Sequence, residues 1–413
     1  MPTVAIRGPR RAAHVPDLPE VAALVALGRA HGLDAVGVAA AEPFATTRRH
    51  LERRRAAGMH GGMAFTYRRP ERSTEPRRAL PDARAIVVGA RGYLQDSCDD
   101  AEDDAERGTE RGTGRPQGRV ARYAREDHYA TLRAALGAIA DELKAAGWRT
   151  RVVADDNALV DREAAYRAGL GWYGKNSNLL LPGRGSWFVL GSVITDAPLA
   201  ASDERVEDGC GGCTRCLDGC PTGAIVAPGV VDARRCLAWL LQDDGPFPHE
   251  YRTILGDRIY GCDDCQEVCP PNRRAGAGAG PDGSAVGGGT ADADGAAAGP
   301  TADLLDMLAA TDEELLARYG RWYVPRRQAR YLRRNALVVL GNVGDPGDAA
   351  TLAALARALG DPDPVVRGHA VWAARRLGRD DLLAPVAADG DPLVRAELEA
   401  PVEPIVARRG SSP

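Results

Sequence analysis

The chain has 413 residues, a formal net charge of −4, 48 glycines, 28 prolines and nine cysteines. That length favours roughly two or three domains over one core, and the near-balanced charge excludes a globally basic nucleic-acid binder, leaving any such partner to a local patch. No run approaches about 18 uninterrupted apolar residues, so no membrane span is predicted, and the basic start from Met1 to Arg11 meets Asp17 and Glu20 with no apolar stretch between, which argues against a signal peptide.

In chain order, residues 21–31 (VAALVALGRAH) read as a helix ending at Gly32, followed by a short strand from Ala35 to Ala39. Residues 85–89 (AIVVG) form the continuous apolar run of a buried strand. From Gln95 to Gln117 the chain is acidic and Gly-rich with little periodicity, a loop that contains Cys98. A helix is predicted from Thr131 to Ala146, closed by Gly147, and strands from Arg151 to Ala154 and Ser186 to Thr195. Helices alternating with strands predict an α/β domain over 1–200. A cysteine-filled module spans 201–274, and residues 275–300 are nearly all Gly, Ala, Asp and Pro, a linker or insert with no core. The last segment, 301–413, is helical: D-P-x-V-R recurs at 363–367 and 391–395 before apolar-periodic runs, with Asp345 and Pro346 opening a weaker earlier unit. Asp-Pro starts at a repeated spacing predict an all-α, HEAT-like domain.

Cys210, Cys213, Cys216 and Cys220-Pro221 make a C-x2-C-x2-C-x3-C-P run, and Cys262, Cys265 and Cys269-Pro270 make a second, with Cys236 between them. In two-cluster ferredoxin arrangements the cysteine before proline ligates the other cluster. The crossing assigns Cys210, Cys213, Cys216 and Cys269 to one [4Fe–4S] cluster and Cys220, Cys236, Cys262 and Cys265 to a second. Zinc also takes CxxC pairs, but a triple CxxCxxC with a following CP is poorly explained by one tetrahedral site. A disulfide scaffold suits an unexported, cytoplasmic chain less still. Cys98 is a bystander. Two adjacent clusters form a wire, and the wire needs a redox terminus in the 200 residues before it.

The densest segment there is GLGWYGKNSN at 169–178. Its glycines allow tight turns or close approach to a planar ligand; Trp172 suits an apolar face, and Lys175, Asn176 and Ser177 offer polar contacts. Lys175-Asn176 breaks the P-loop pattern, and no G-x-G-x-x-G opens a βα unit. Asp155 and Asp156 end a predicted strand, a position where α/β folds place site residues, and a shielded carboxylate could serve there as a proton donor. Composition alone favours a solvated turn or helix cap.

HGGM at 60–63, RYAR at 122–125, AGLGWYGK at 168–175, CGGCTRCLDGCPTGAI at 210–225, VDARRC at 231–236, GDRIYGCDDCQEVCP at 256–270 and RRNALVVLGN at 333–342 together resemble the epoxyqueuosine reductase family. The resemblance covers roughly residues 20–380. It implies a cobalamin in the α/β domain beside two [4Fe–4S] clusters, electrons supplied by an external donor of ferredoxin or flavodoxin type, and reduction of epoxyqueuosine to queuosine at the wobble position of tRNA by a monomeric enzyme. Asp155 matches the family's proton donor and Arg68 an arginine that contacts cofactor or substrate. Here DDNA replaces the family's DSAP, so Asp156 flanks the donor, and a His128-Tyr129 pair stands inverted after RYAR.

For RNA, residues 318–334 (RYGRWYVPRRQARYLRR) carry seven arginines, no acid, and interleaved Tyr319, Trp322, Tyr323 and Tyr331. Such a run suits backbone contact and stacking on unpaired bases; the alternative is a solvated helix face or internal arginine pairing. Two rival functions share the cysteine evidence: a corrinoid iron–sulfur reductive dehalogenase, and a ferredoxin-type carrier with a helical docking domain.

Overall fold

The structure, a computed structural model, describes residues 17–94, 114–202, 204–276 and 299–405; Cys98 lies outside them. Its strands are β1 (Ala35–Ala40), β2 (Ala85–Gly92), β3 (Gln117–Val120), β4 (Thr150–Ala154), β5 (Trp172–Tyr173), β6 (Leu179–Leu180), β7 (Phe188–Thr195), β8 (Ile225–Ala227), β9 (Val230–Val231), β10 (Arg258–Tyr260) and β11 (Thr301–Asp303).

The first domain is a four-stranded sheet in the order β1-β2-β7-β4 with every neighbouring pair antiparallel. Helices and strands alternate along the chain as the sequence implies, but alternation does not fix strand direction. Parallel strands need a crossover, and one through the His128–Ala145 helix does carry the chain from β2 to the parallel β4, but β7 lies between them and runs opposite to both. Both faces are covered, which is why β2 and β7 read as continuous apolar runs. Val87 and Val193 face the His128–Ala145 helix through Leu132, Leu136 and Ile139. Ile86, Val88 and Ile194 face Phe44 and the Ala164–Ala165 side of the Asp161–Arg167 helix. Gly89 and Gly191 are cross-strand partners. A Cβ on either would lie within 3.1 Å of a Leu136 methyl, so this bare pair is the socket for that leucine. The helix starts three residues earlier than its apolar period suggests, because the Asp127 carboxylate accepts from the Ala130 N–H at 3.0 Å and caps it.

A second sheet, β10-β3-β11, pairs β3 parallel to β10 and antiparallel to β11. Its central strand comes from the first segment and its edges from the cysteine and C-terminal segments. One core likewise joins Val120, Leu240, Phe247, Ile259, Leu304, Trp322 and Leu337. The segments 1–200, 201–274 and 301–413 are therefore successive in sequence but interlocked in space.

The C-terminal helices are Arg330–Val343, Ala349–Leu359, Pro364–Arg376 and Pro392–Glu399. Asp363 and Asp391 cap the last two, each carboxylate accepting a backbone N–H at 2.8 Å with proline in the first helical turn. The weaker unit starts later than Asp345: Asp348 caps it. Two buried arginines fasten these helices to the cysteine segment. Arg252 donates to both oxygens of Glu397 at 2.8 and 2.7 Å. Arg334 donates to the carbonyls of Leu240, Leu241, Asp243 and Gly245, the stretch just after Cys236. Among the described residues no helix is long and apolar enough to cross a membrane.

Candidate redox site

The cysteine segment folds around two short helical turns, Arg215–Asp218 and Asp264–Glu267. They meet where a Cβ on Gly219 would lie 2.9 Å from the Val268 side chain, so glycine permits the contact. The thiols fall into two groups. Cys269 and Cys216 interact electrostatically with Cys210 and Cys213 and with each other. Cys265 interacts with Cys262, Cys236 and Cys220, and Cys236 in turn with Cys220. Each group thus draws one member across from the other run: Cys269 stands with 210–216, and Cys220 with 236–265. Burial pushes the thiols of Cys216, Cys236, Cys262, Cys265 and Cys269 up, Cys269 to about 11, with its neighbouring thiols adding to the shift. Thiolates at such positions need a metal cation to hold them ionised, and eight sulfur donors in two sets of four match the chemistry of two cubanes. Among the described residues no three His, Cys, Asp or Glu side chains converge on a single-ion site; iron at the corners of a cubane asks for a wider ring of sulfurs than one tetrahedral ion.

The GLGWYGKNSN segment forms the β5–β6 hairpin. A Cβ on Gly171 would lie 2.0 Å from the Leu180 carbonyl oxygen, which fixes glycine at the base of the hairpin. At the tip, Ser177 takes a positive φ of 65° and the Gly174 N–H donates to the Asn178 carbonyl at 2.8 Å. The tip is pressed onto the cysteine loops. Lys175 Nζ donates to the carbonyls of Gly211 at 2.7 Å and Cys213 at 2.9 Å. Asn176 Nδ2 donates to the Cys265 carbonyl at 3.3 Å. The Trp172 ring lies against Gly209. The sequence offered these side chains to a planar ligand; here three of the four meet the backbone around the thiols. The Ser177 hydroxyl and the Trp172 indole N–H are enclosed with no hydrogen-bond partner among the described residues, and both remain as donors for a bound group.

Asp155 follows β4 directly, in the left-handed region at φ 53°. This strained backbone is held from behind: the half-buried Asp161 carboxyl accepts the Asp155 N–H. The two aspartates differ sharply. Asp156 is committed to the loop, accepting from the Ala158 N–H at 2.8 Å and lying 3.9 Å from Arg151. Asp155 is exposed and its carboxyl has no hydrogen-bond partner among the described residues. Even so, protein crowding around that carboxyl raises its pKa; the charge of Arg133 opposes the rise and that of Asp156 adds to it. Tyr129, from the same helix as Arg133, has its hydroxyl pushed up by burial and then by the charges of Asp155 and Asp161.

The HGGM turn bridges the two halves of the site. The Met59 and Gly61 carbonyls accept from Ala233 N and Trp239 Nε1, both at 2.8 Å, on either side of Cys236. On its other flank Thr66 N donates to Asn157 Oδ1 at 2.7 Å, beside Asp155. Arg68 is exposed, and its carbonyl accepts from Arg55 at 3.5 Å. The supporting residues Asn157, Asp161 and Trp239 escaped the sequence reading. Only Asn157 was hinted at, by the D-D-N-A string, since Asn side chains commonly hydrogen-bond backbone in turns.

The Arg/aromatic run is mostly structural. Tyr319, Trp322 and Tyr331 are buried, Trp322 stacking on Tyr260 at 4.4 Å, and only Tyr323 among the four is exposed. Arg321 donates to the Ala124 and Arg125 carbonyls, Arg333 pairs with Asp312, and Arg334 is the buried staple described above. Arg318, Arg326 and Arg327 stay exposed.

Residues 209–272 match the 4Fe-4S double cluster binding domain family and residues 326–400 match the HEAT repeats. The chain is 32% identical over 363 residues to an epoxyqueuosine reductase of Bacillus cereus, covering 86% of this chain and 89% of that one. An epoxyqueuosine reductase of Xanthomonas campestris is 34% identical over 88% of this chain and 98% of its own length. Among solved structures, an epoxyqueuosine reductase crystallised with an epoxyqueuosine-modified tRNA-Tyr stem loop superposes with a TM-score of 0.78 at 30% identity, over 92% of this chain and 96% of that one. A Bacillus subtilis epoxyqueuosine reductase with its catalytic aspartate loop swung out of the active site superposes with a TM-score of 0.76 over the same shares. This chain belongs to the epoxyqueuosine reductase family.

Proposed function

We propose that this protein reduces epoxyqueuosine to queuosine at the wobble position of tRNA, with two [4Fe–4S] clusters feeding electrons to a cobalamin held beside Asp155. The observation that carries the reading is the convergence of three segments at one place. The Asp155 loop, the HGGM turn and the β5–β6 tip are bonded to one another or to the loops that carry the two thiol groups. Membership of the family along nearly the whole chain supports it.

The first cluster would be held by Cys210, Cys213, Cys216 and Cys269, and the second by Cys220, Cys236, Cys262 and Cys265. Electrons enter at the first, whose loop residues Gly211, Gly212, Thr214 and Arg215 are exposed to an external donor of ferredoxin or flavodoxin type. They would leave from the second, because the HGGM turn ties the stretch on either side of Cys236 to Asn157 beside Asp155. Cobalamin, when bound, supplies the strongly reducing cobalt that opens the epoxide. Around it Ser177 and Trp172 offer unpaired donors, and Arg68 offers an exposed cation. Asp155 carries the proton to the departing oxygen. Crowding raises the pKa of that carboxyl, which favours the acid form the step needs. Asp161 holds the loop in its strained form, and Asp156 is a loop cap rather than the acid. The unpaired anticodon bases meet Tyr323, Arg318, Arg326 and Arg327, the part of the 318–334 run left at the surface.

The test is anaerobic reconstitution with iron and sulfide, with and without cobalamin, followed by nucleoside analysis of an epoxyqueuosine-bearing stem loop. Queuosine is expected only when both cofactors are loaded. Equal conversion without cobalamin would overturn the reading.

A further inference from the structure

We propose that Lys175 is a positioning residue that sets the reduction potential of the first cluster above that of the second, making the first the resting place of the entering electron. The inference rests on the assignment of the two thiol groups to clusters.

Lys175 and Asn176 are adjacent on one hairpin tip and take one cysteine loop each. The partners differ in charge: Lys175 places an ammonium on the loop of Cys210–Cys216, and Asn176 a neutral amide on the loop of Cys265. A cluster gains a negative charge on reduction, so a fixed cation favours its reduced form. The ammonium also orders the peptides around it. Carbonyl and N–H of one planar peptide point in opposite directions. Drawing the Gly211 and Cys213 carbonyls toward Lys175 therefore turns the Gly212 and Thr214 N–H groups away from it. Neither N–H has another partner among the described residues, which leaves both to donate to cluster sulfur. Hydrogen bonds to sulfur raise the potential further.

On the first loop, Asp208 accepts from the Cys210 N–H at 2.8 Å, and the exposed Arg215 and Asp218 offset each other. On the second, Arg258 and Arg119 pair with Asp264 and Glu267, and Asp263 accepts the Arg122 N–H at 2.7 Å beside the charges of Arg122 and Arg125. Lys175 is thus the side-chain cation bonded directly to the backbone carbonyls of the first loop, and it comes from the α/β domain rather than from the cysteine segment itself.

The experiment is an anaerobic redox titration of the cluster-loaded full chain, without cobalamin or tRNA, followed by electron paramagnetic resonance. Lys175→Met, with full iron content, is expected to lower one midpoint so that its reduced-to-oxidised ratio at fixed potential falls about tenfold (~59 mV for one electron), while the other midpoint stays. Lys175→Arg keeps the charge and both midpoints. Asn176→Ala removes the neighbouring contact without a charge and leaves the first midpoint in place. Unchanged midpoints in fully loaded Lys175→Met, or an equal shift from Asn176→Ala, would overturn the proposal. If Lys175→Met fails to load its first cluster, Lys175→Gln, whose amide still donates to a carbonyl, gives the same comparison. A native chain that takes up no clusters would instead refute the cluster assignment on which the inference stands.

Discussion

Glu397→Gln is the most informative perturbation of the scaffold, because its cost follows from a small set of contacts. Arg252 has no exposed surface, and Glu397 is 3% exposed. The carboxylate receives two charge-assisted hydrogen bonds from Arg252, at 2.8 and 2.7 Å, and lies 3.0 Å from His249 Nε2. Glutamine preserves the shape but turns one oxygen into an N–H2 group facing a guanidinium, donor against donor. The guanidinium then keeps its charge in a place water does not reach. Breaking a buried pair in this way costs about 3–5 kcal/mol. Arg252 Nε also donates to the Phe247 carbonyl at 2.9 Å, so the pair ties the His249–Leu255 helix, between Cys236 and Cys262, to the last C-terminal helix. The measurement is chemical denaturation of the variant at low and high salt, with an expected loss on the order of 10 °C in a parallel thermal melt. The penalty should persist at high salt, since a buried pair is poorly screened. Combining Glu397→Leu with Arg252→Met should cost much less than the two single changes added together. A Glu397→Gln penalty under about 1 kcal/mol, or one that vanishes with salt, would refute this reasoning.

Asp155→Asn should lower turnover about 10²–10⁴-fold with iron and cobalamin content unchanged. The raised pKa means the acid form persists to higher pH, so activity falls as pH rises through the folded-state value. Removing the opposing charge with Arg133→Met should move that limb further up in a pH–rate profile. Cys269→Ser and Cys210→Ser should each remove the same half of the iron and the same resonance signal, and Cys220→Ser the other half; a shared signal between Cys269→Ser and Cys265→Ser would break the crossing. His369 is held well below its ordinary pKa by burial and then by the charge of Arg252, and its Nε2 accepts the Phe247 N–H at 3.0 Å. The unfolded chain then binds the extra proton below about pH 6.5, so stability drops as pH falls from there. His369→Gln should flatten that acid slope in denaturation curves taken across the range.

What was legible in the sequence was what local spacing encodes. The cysteine runs, the Asp-Pro helix starts and the buried strands at 85–92 and 188–195 each declare themselves within a few residues. Strand direction did not, because helix–strand alternation is common to parallel and antiparallel sheets. The four residues of β3 (QGRV) carry no period, so their place between β10 and β11 rests on partners that lie far away in sequence. The arginine-rich run misled for the same reason. Arg334 resembles a phosphate contact until four backbone carbonyls from residues 240–245 are seen around it. The resemblance put Asp155 ahead of Asp156 as the acid, and one hydrogen bond from the Ala158 N–H separates the two, committing Asp156 to the loop. Lys175 and Asn176 were visible as residues of a turn, while the loops they hold belong to another part of the chain.

The most direct test of the account is a single-turnover measurement. Enzyme carrying both clusters and cobalamin is reduced, freed of excess reductant and mixed anaerobically with an epoxyqueuosine stem loop. The nucleoside is then weighed by mass spectrometry while the clusters are followed by resonance. The expected product is one oxygen atom lighter, queuosine, appearing as the reduced-cluster signals decline, and from Asp155→Asn it should form at least about 10²-fold more slowly. Cluster oxidation with the epoxide intact, or queuosine formed while both clusters stay reduced, would contradict it.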